Sequence, residues 1–389
     1  MFKIRTLNKI SPVGLDLFPR ERYEVASEIG HPDAILVRSF KMHGIEIPGS
    51  VKAIARAGIG VNNIPVEACT EKGILVFNTP GANANSVKEL VLTGLLISSR
   101  RVYHAVSWVR SLANNGDDIE KIMESEKSNF TGPELRGKKL GVIGLGAIGS
   151  MVANDAESLG MTVSGWDPFI SVDAAWGLSR SIRKALSMDS LLSDSDYLSI
   201  HIPLKDDTRG VINASKFGIM KRGVRIMNFA RGGLVNNRDL LQDIDAGIVE
   251  AYVTDFPDND LLACDKVIPI PHLGASTPEA EDNCAVMAVE QIKDFLETGN
   301  LKNSINFPNC QMDFRKGTRI VVANKNVPNM VGQITTILAN EGINISDMLN
   351  KHLGDYAYNI IDVESPVSRR LTDLLKTVTG VIMVRVIIK

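Results

Sequence analysis

Lys139-Leu140-Gly141-Val142-Ile143 runs directly into Gly144-Leu145-Gly146-Ala147-Ile148-Gly149. The first five residues read as a buried strand. The next six are GxGxxG, and a helical pattern follows. Gly144 permits a tight turn, Gly146 lets backbone approach a pyrophosphate, and Gly149 allows close helix–strand packing. Ala147 and Ile148 open the helix, whose free N–H groups and positive dipole end suit phosphates. Glycines at such a turn can also serve packing alone. Here the next strand ends in Trp166-Asp167-Pro168, with Asp167 lying 18 residues after Gly149. An acid at that strand end is placed to bind both hydroxyls of an adenosine ribose and repels a 2′-phosphate, so the cofactor expected is NAD rather than NADP. Neither Arg100 nor Arg180 is near that strand end in sequence.

Strand–helix units extend outward from this turn over 138–272. Strands are expected at 139–143, 162–166, 197–201, 225–229, 250–254 and 266–270, separated by crossovers of ten or more residues, as parallel pairing requires. Upstream, Ala34-Ile35-Leu36-Val37, Val51-Lys52-Ala53-Ile54 and Ile74-Leu75-Val76-Phe77 read as buried strands. The last stops at Asn78-Thr79-Pro80-Gly81, a strong turn signal. A long helix begins near Asn85, and another covers 278–298 with Ala285, Val286, Ala288, Val289, Ile292, Phe295 and Leu296 on one face. Segment 111–136 is polar, with a loop at Asn114-Asn115-Gly116, and is expected on the surface or at a subunit contact. From 317 the order is strand, helix, strand, strand, helix, strand, a ferredoxin-like βαββαβ unit. No internal repeat is visible.

The 389 residues suffice for two to three domains with real cores. Hydrophobic residues are 44% and charged residues 23%, which excludes collagen-like and mostly disordered chains. The net charge of −2 gives no general pull on nucleic acid or an anionic membrane, so an anionic ligand must be held locally. Cys69, Cys264, Cys284 and Cys310 have no metal-type spacing and fit reduced thiols; no metal site is expected. No secretory leader is seen, and the longest apolar stretch, 90–97, is short of the ~20 residues of a span. A cytoplasmic protein is expected.

Two strand ends carry chemistry. Asn228-Phe229-Ala230-Arg231 places an arginine at the carboxyl edge of the sheet, where ligands bind in open α/β folds and where its forked donors match a carboxylate. Pro271-His272-Leu273-Gly274 places a histidine at the same edge. Histidine can hand a proton to a carbonyl oxygen while hydride arrives at carbon. The acidic turn Asp255-Phe256-Pro257-Asp258-Asn259-Asp260 lies between them. Taken singly, either residue is as well explained by structure.

Together these motifs resemble the D-isomer-specific 2-hydroxyacid dehydrogenases. The likeness extends to 56–64 and 78–83, GLGAIG with Trp166-Asp167-Pro168, His201-Ile202-Pro203-Leu204, Asn228–Arg231 and 271–277. The tail resembles an ACT regulatory domain. The resemblance implies an α/β architecture in three parts: a discontinuous flavodoxin-like substrate domain (1–85 and 274–308), a Rossmann nucleotide domain (86–273) and, past a linker at 309–316, an ACT domain (317–389). It implies an active cleft between the first two, closed before hydride transfer, and NAD-dependent oxidation of 3-phospho-D-glycerate to 3-phosphohydroxypyruvate, the first step of serine synthesis. Arg231 would bind the substrate carboxylate and His272 would transfer the proton. Gly58, Gly60 and Val61 would hold the carboxylate with backbone N–H groups, and Arg38 and Arg56 would reach the phosphate. His201 and Pro203 would line the adenine side, Ala230 would also touch the cofactor, and Asp255 would bind the nicotinamide amide. Asn324, Asn326 and Asn344 match positions that contact an amino-acid effector, typically L-serine. A homodimer through the nucleotide domains, or a tetramer through ACT pairs, is implied.

The pattern breaks at one place. The glutamate that charges and orients the histidine should fall near 259, where this chain has Asn259 between Asp258 and Asp260. An amide can fix the imidazole tautomer but cannot stabilise imidazolium by charge. Asp260 or Asp258 could substitute by a small loop shift, or Asn259 could serve with lower activity. Two other functions stay open: reduction of an unphosphorylated acid such as hydroxypyruvate or glyoxylate, and a catalytically impaired sensor of NAD and amino acid.

Overall fold

A computed structural model describes residues 1–113 and 118–389, so the loop expected at Asn114-Asn115-Gly116 lies outside the described residues. By contacts the chain divides into two compact units, 1–82 with 281–389 and 83–280.

The second unit is built on a seven-stranded parallel sheet: β6 (Lys139–Ile143), β7 (Thr162–Trp166), β8 (Arg183–Lys184), β9 (Tyr197–Ile200), β10 (Val224–Asn228), β11 (Val249–Thr254) and β12 (Val267–Pro269). Their order is β12-β11-β10-β9-β6-β7-β8, the doubly wound arrangement with its reversal between β6 and β9. All six expected strands are present. The two-residue β8 was missed because its exposed Arg183 and Lys184 show no apolar pattern. Period-two alternation sends Leu140 and Val142 to one face and Ile143, Leu198 and Ile200 to the other. The first face is covered by the helices Ala84–Ser99, through Val87, Val91 and Leu95, and Ala147–Ser158, through Val152, Ala153 and Ala156. Leu191, Phe217, Leu240 and Ile244 cover the second.

The first unit holds two sheets. One is parallel: β1 (Phe2–Leu7), β2 (Tyr23–Ala26), β3 (Ala34–Val37), β4 (Ala53–Arg56) and β5 (Leu75–Phe77), in the flavodoxin-like order β2-β1-β3-β4-β5. The expected strand at 51–54 falls at β4 instead, because Val51 closes a turn by donating its N–H to the Pro48 carbonyl. The other sheet is antiparallel: β13 (Thr318–Lys325), β14 (Ile345–Leu353), β15 (Tyr356–Val363) and β16 (Val381–Ile388), ordered β14-β15-β13-β16. With the helices Met330–Asn340 and Arg369–Thr377 it completes the expected βαββαβ order.

One core joins these sheets. The 281–298 part of the helix Pro278–Thr298 contributes Ala285, Ala288, Val289, Ile292, Phe295 and Leu296, all buried. Against it lie Ala34, Ala53, Ala55 and Phe77 from the first sheet, and Val321, Ala323, Tyr358 and Ile360 from the tail sheet. Small strand residues let the helix approach closely. Residues 309–316, read as a linker, bury Cys310 and Phe314 in the same core.

Candidate active site

In the second unit, β6 delivers the glycine turn at the sheet's reversal. Gly144 has φ +88°, and a Cβ there would lie 2.7 Å from the His201 carbonyl oxygen. A Cβ on Gly149 would lie 2.0 Å from the Gly144 carbonyl oxygen. Side chains are thus excluded at both ends of the turn. A Cβ on Gly146 would meet nothing within 4 Å, so the middle of the turn faces open space. That combination leaves room for a pyrophosphate at the start of the twelve-residue helix Ala147–Ser158, which has Ala147 and Ile148 in its first turn. Asp167, past the end of β7, accepts from the Leu145 N–H at 2.8 Å and from the Phe169 N–H at 2.8 Å. Each carboxylate oxygen retains a lone pair for a ribose hydroxyl.

His201 follows β9 beside this turn. Its Nε2 lies 2.7 Å from Ser199 Oγ, and burial pushes its pKa down to about 4, so it is neutral at pH 7. The Pro203 carbonyl accepts from Thr208 Oγ1 at 2.7 Å, shaping the loop that follows. Ala230 donates its N–H to Asn228 Oδ1 at 3.2 Å. Arg231 is exposed, and its Nη1 donates to the Ala230 carbonyl at 2.6 Å.

His272 is exposed after β12, with its ring centroid 4.8 Å from that of Phe256 in edge-on packing. Asp255, at the end of β11, is only 5% exposed, and its Oδ1 accepts no hydrogen bond from any described residue. Burial raises its pKa, while the fields of His272 and Arg231 oppose the rise. Asp255 thus lies in the fields of both, past the ends of adjacent strands. The three residues expected in the glutamate slot are placed differently. Asp258 caps the short helix Asn259–Leu262, accepting from the Leu261 N–H at 2.9 Å and from Asn237 Nδ2 at 2.6 Å. Asn259 and Asp260 are exposed in the first turn of that helix.

In the first unit, Arg38 follows β3 and Arg56 ends the neighbouring β4, and Arg56 Nε donates to the Arg38 carbonyl at 2.9 Å. The Arg56 head reaches the next turn: a Cβ on Gly58 would lie 3.0 Å from its Nη1, and one on Gly60 3.5 Å. The Gly58 N–H is already donated to Thr79 Oγ1 at 2.8 Å, which corrects its reading as a ligand donor. The Gly60 and Val61 N–H groups donate to no described residue. Thr79 is fully buried, and its contact with the turn was not foreseen, although the motif at 78–83 contains it. Glu281 was missed as well. It pairs with Arg38 at 2.6 Å, yet only the folded helix brings two residues so distant in sequence together.

The three tail asparagines differ. Asn324 is 1% exposed and already bonded at both ends: Nδ2 donates to the Lys325 carbonyl at 2.7 Å and Oδ1 accepts from Asn359 Nδ2 at 2.7 Å. That removes the main reason for reading it as an effector contact. Asn326 is exposed and donates from Nδ2 to the Gly354 carbonyl at 3.2 Å; Asn344 is exposed.

Residues 93–274 match the family described as D-isomer specific 2-hydroxyacid dehydrogenase, NAD binding domain. The chain is 37% identical over 299 residues to D-3-phosphoglycerate dehydrogenase of Methanocaldococcus jannaschii, covering 75% of this chain and 55% of that one. It is 36% identical over 300 residues to the enzyme of the same name from Archaeoglobus fulgidus, covering 75% and 54%. The chain thus spans about half the length of these curated relatives. Among solved structures, cofactor(NAD+)-bound 3-phosphoglycerate dehydrogenase of Entamoeba histolytica superposes with a TM-score of 0.60 at 25% identity, over 78% of this chain and 98% of that one. The glyoxylate reductase of Paecilomyes thermophila, 24% identical with a TM-score of 0.63 over 78% of this chain and 98% of that one, shares the fold. The glycine turn, Asp167, Arg231 and Asp255 all lie in the stretch 93–274, which resembles the NAD-binding domain of the D-isomer specific 2-hydroxyacid dehydrogenases.

Proposed function

We propose that the protein is an NAD-dependent dehydrogenase that oxidises 3-phospho-D-glycerate to 3-phosphohydroxypyruvate. The observation that carries this reading is the placing of Arg231, Asp255 and His272 just past the ends of the adjacent strands β10, β11 and β12, on the sheet whose glycine turn leaves room for a pyrophosphate. Gly144, Gly146, Gly149 and the helix after them would hold the pyrophosphate, and Asp167 the adenosine ribose. His201, Pro203 and Ala230 would line the rest of the cofactor. When bound, NAD⁺ supplies the acceptor for the hydride leaving C2.

The chain's own residues do the remainder. His272, exposed beside Phe256, takes the proton of the C2 hydroxyl. The Asp255 carboxylate stabilises the imidazolium that results, a charge that Asn259 cannot supply. Arg231 holds the substrate carboxylate through its forked donors and polarises the developing carbonyl. In the first unit, Gly60 and Val61 have backbone N–H groups that would suit a carboxylate. Arg38 and Arg56 favour a phosphorylated acid over hydroxypyruvate or glyoxylate. We further read the tail as an ACT domain binding L-serine at Asn326 and Asn344, and the chain as a cytoplasmic homodimer or homotetramer. Tyr103, Val106 and Val109, exposed on the helix Val102–Ser111, suit the subunit contact expected within 98–136.

The test is NADH consumption with 3-phosphohydroxypyruvate, hydroxypyruvate and glyoxylate, with and without millimolar L-serine. Turnover is expected to be at least about tenfold more efficient with the phosphorylated acid, the scale of one charge-assisted contact. NADH binding with no turnover of any acid would favour the sensor.

A further inference from the structure

The candidate phosphate pocket carries an anion of its own. Glu281 Oε1 sits 2.6 Å from Arg38 Nη2, the guanidinium read above as a phosphate ligand. Both side chains are partly open to water, at 43% and 37% exposure, so an incoming ligand can reach the pair. Cys284, one helical turn beyond Glu281, registers the same convergence of charge: its thiol lies in the fields of Arg38, Arg56 and Glu281 together. The Arg38 backbone is fixed, since its carbonyl accepts from Arg56 Nε at 2.9 Å and from Asn63 Nδ2 at 3.3 Å. Only the guanidinium end is free to change partner.

A phosphate dianion entering this pocket meets two arginines and one carboxylate. It must take Arg38 from Glu281 and then bear the repulsion of a bare carboxylate nearby. When the phosphorylated product leaves, Glu281 is in place to take Arg38 back. We propose that Glu281 is an internal competitor for the substrate phosphate that lowers phosphate affinity and speeds phosphate release. This rests on the phosphate reading of Arg38.

The experiment compares the parent with Glu281→Gln, which keeps size and hydrogen bonding but removes the charge, and with Glu281→Asp, which keeps the charge. Glu281→Gln is expected to lower KM for 3-phosphoglycerate by about 3- to 30-fold, the effect of one charge a few ångströms away in a half-exposed site. KM for unphosphorylated D-glycerate should change less than about twofold on the same scale. Glu281→Asp should leave the phosphate KM much nearer the parent value. In parallel, inorganic phosphate should raise the melting temperature of Glu281→Gln at lower concentration than that of the parent. That readout needs no turnover, so it judges Glu281 even if 3-phosphoglycerate is not the substrate. A phosphate KM and a phosphate-induced melting shift that are unchanged or weakened in Glu281→Gln overturn the proposal. So does an equal fall in KM for both acids.

Discussion

At the scale of single residues, the informative carboxylate is Asp255. It is buried just past the end of β11, with one oxygen unpartnered among the described residues, in the fields of His272 and Arg231. An ionised Asp255 favours the protonated imidazole. Burial works against that ionisation, and the two cationic neighbours work for it; Tyr252, whose hydroxyl accepts from Asn228 Nδ2, also lies in its field. Reduction of an oxo acid draws its proton from His272. Asp255→Asn removes the neighbouring negative charge while keeping the side chain's size. The kcat near neutrality should fall by about tenfold or more. The measurement is kcat for parent and variant, and an unchanged kcat would return the role to Asp258 or Asp260.

At the scale of elements, the tail is tied to the helix Pro278–Thr298 through two arginines. Arg319 is 0% exposed and forks onto Asp362, with Nε to Oδ1 at 2.6 Å and Nη2 to Oδ2 at 2.8 Å. Its remaining donors reach the carbonyls of Thr298, Met312 and Asp313, while its guanidinium stacks 4.4 Å from the Phe314 ring centroid. Arg385 donates to the carbonyls of Phe295 and Leu296, and so meets the acceptors near the end of the helix. Every donor direction of Arg319 is used, so deleting it strands a carboxylate and several carbonyls at once. Arg319→Ala should cost about 3–5 kcal/mol in urea unfolding of the unit containing the tail. A loss under about 1 kcal/mol would show that the pair is solvated, as surface pairs are.

At the scale of the molecule, the tail sheet and the first parallel sheet share one apolar interior rather than meeting across a bare linker. Val321, Ala323, Tyr358, Ile360 and Ile387 pack into the same cluster as Phe295 and Phe307. Removing 317–389 would expose much of that cluster. The truncated chain should therefore lose solubility or melt at least several degrees lower, since exposing even one large buried side chain costs about 1.5–3 kcal/mol. Scanning calorimetry of the two chains checks this. A truncated chain with an unchanged first transition would show that the tail is a separate folding unit.

The sequence by itself determined most of the doubly wound unit. Most of its strands carry apolar runs with buried residues, and its glycine turn obeys a steric rule readable in six letters. Lys3 and Arg5, which break the apolar run of β1, and the shortness of β2 hid the first two strands. Arg231 and His272 were visible as strand-end residues, since a strand's end is set locally, whereas Arg38 came only from the family resemblance. What only the tertiary structure decided is which partners those ends meet. Asp258 proved to be a helix cap, Asn324 a sheet amide and Glu281 the mate of Arg38. Charge pairing acts through space over a few ångströms, and residues 38 and 281 become neighbours only when the helix packs onto the sheet.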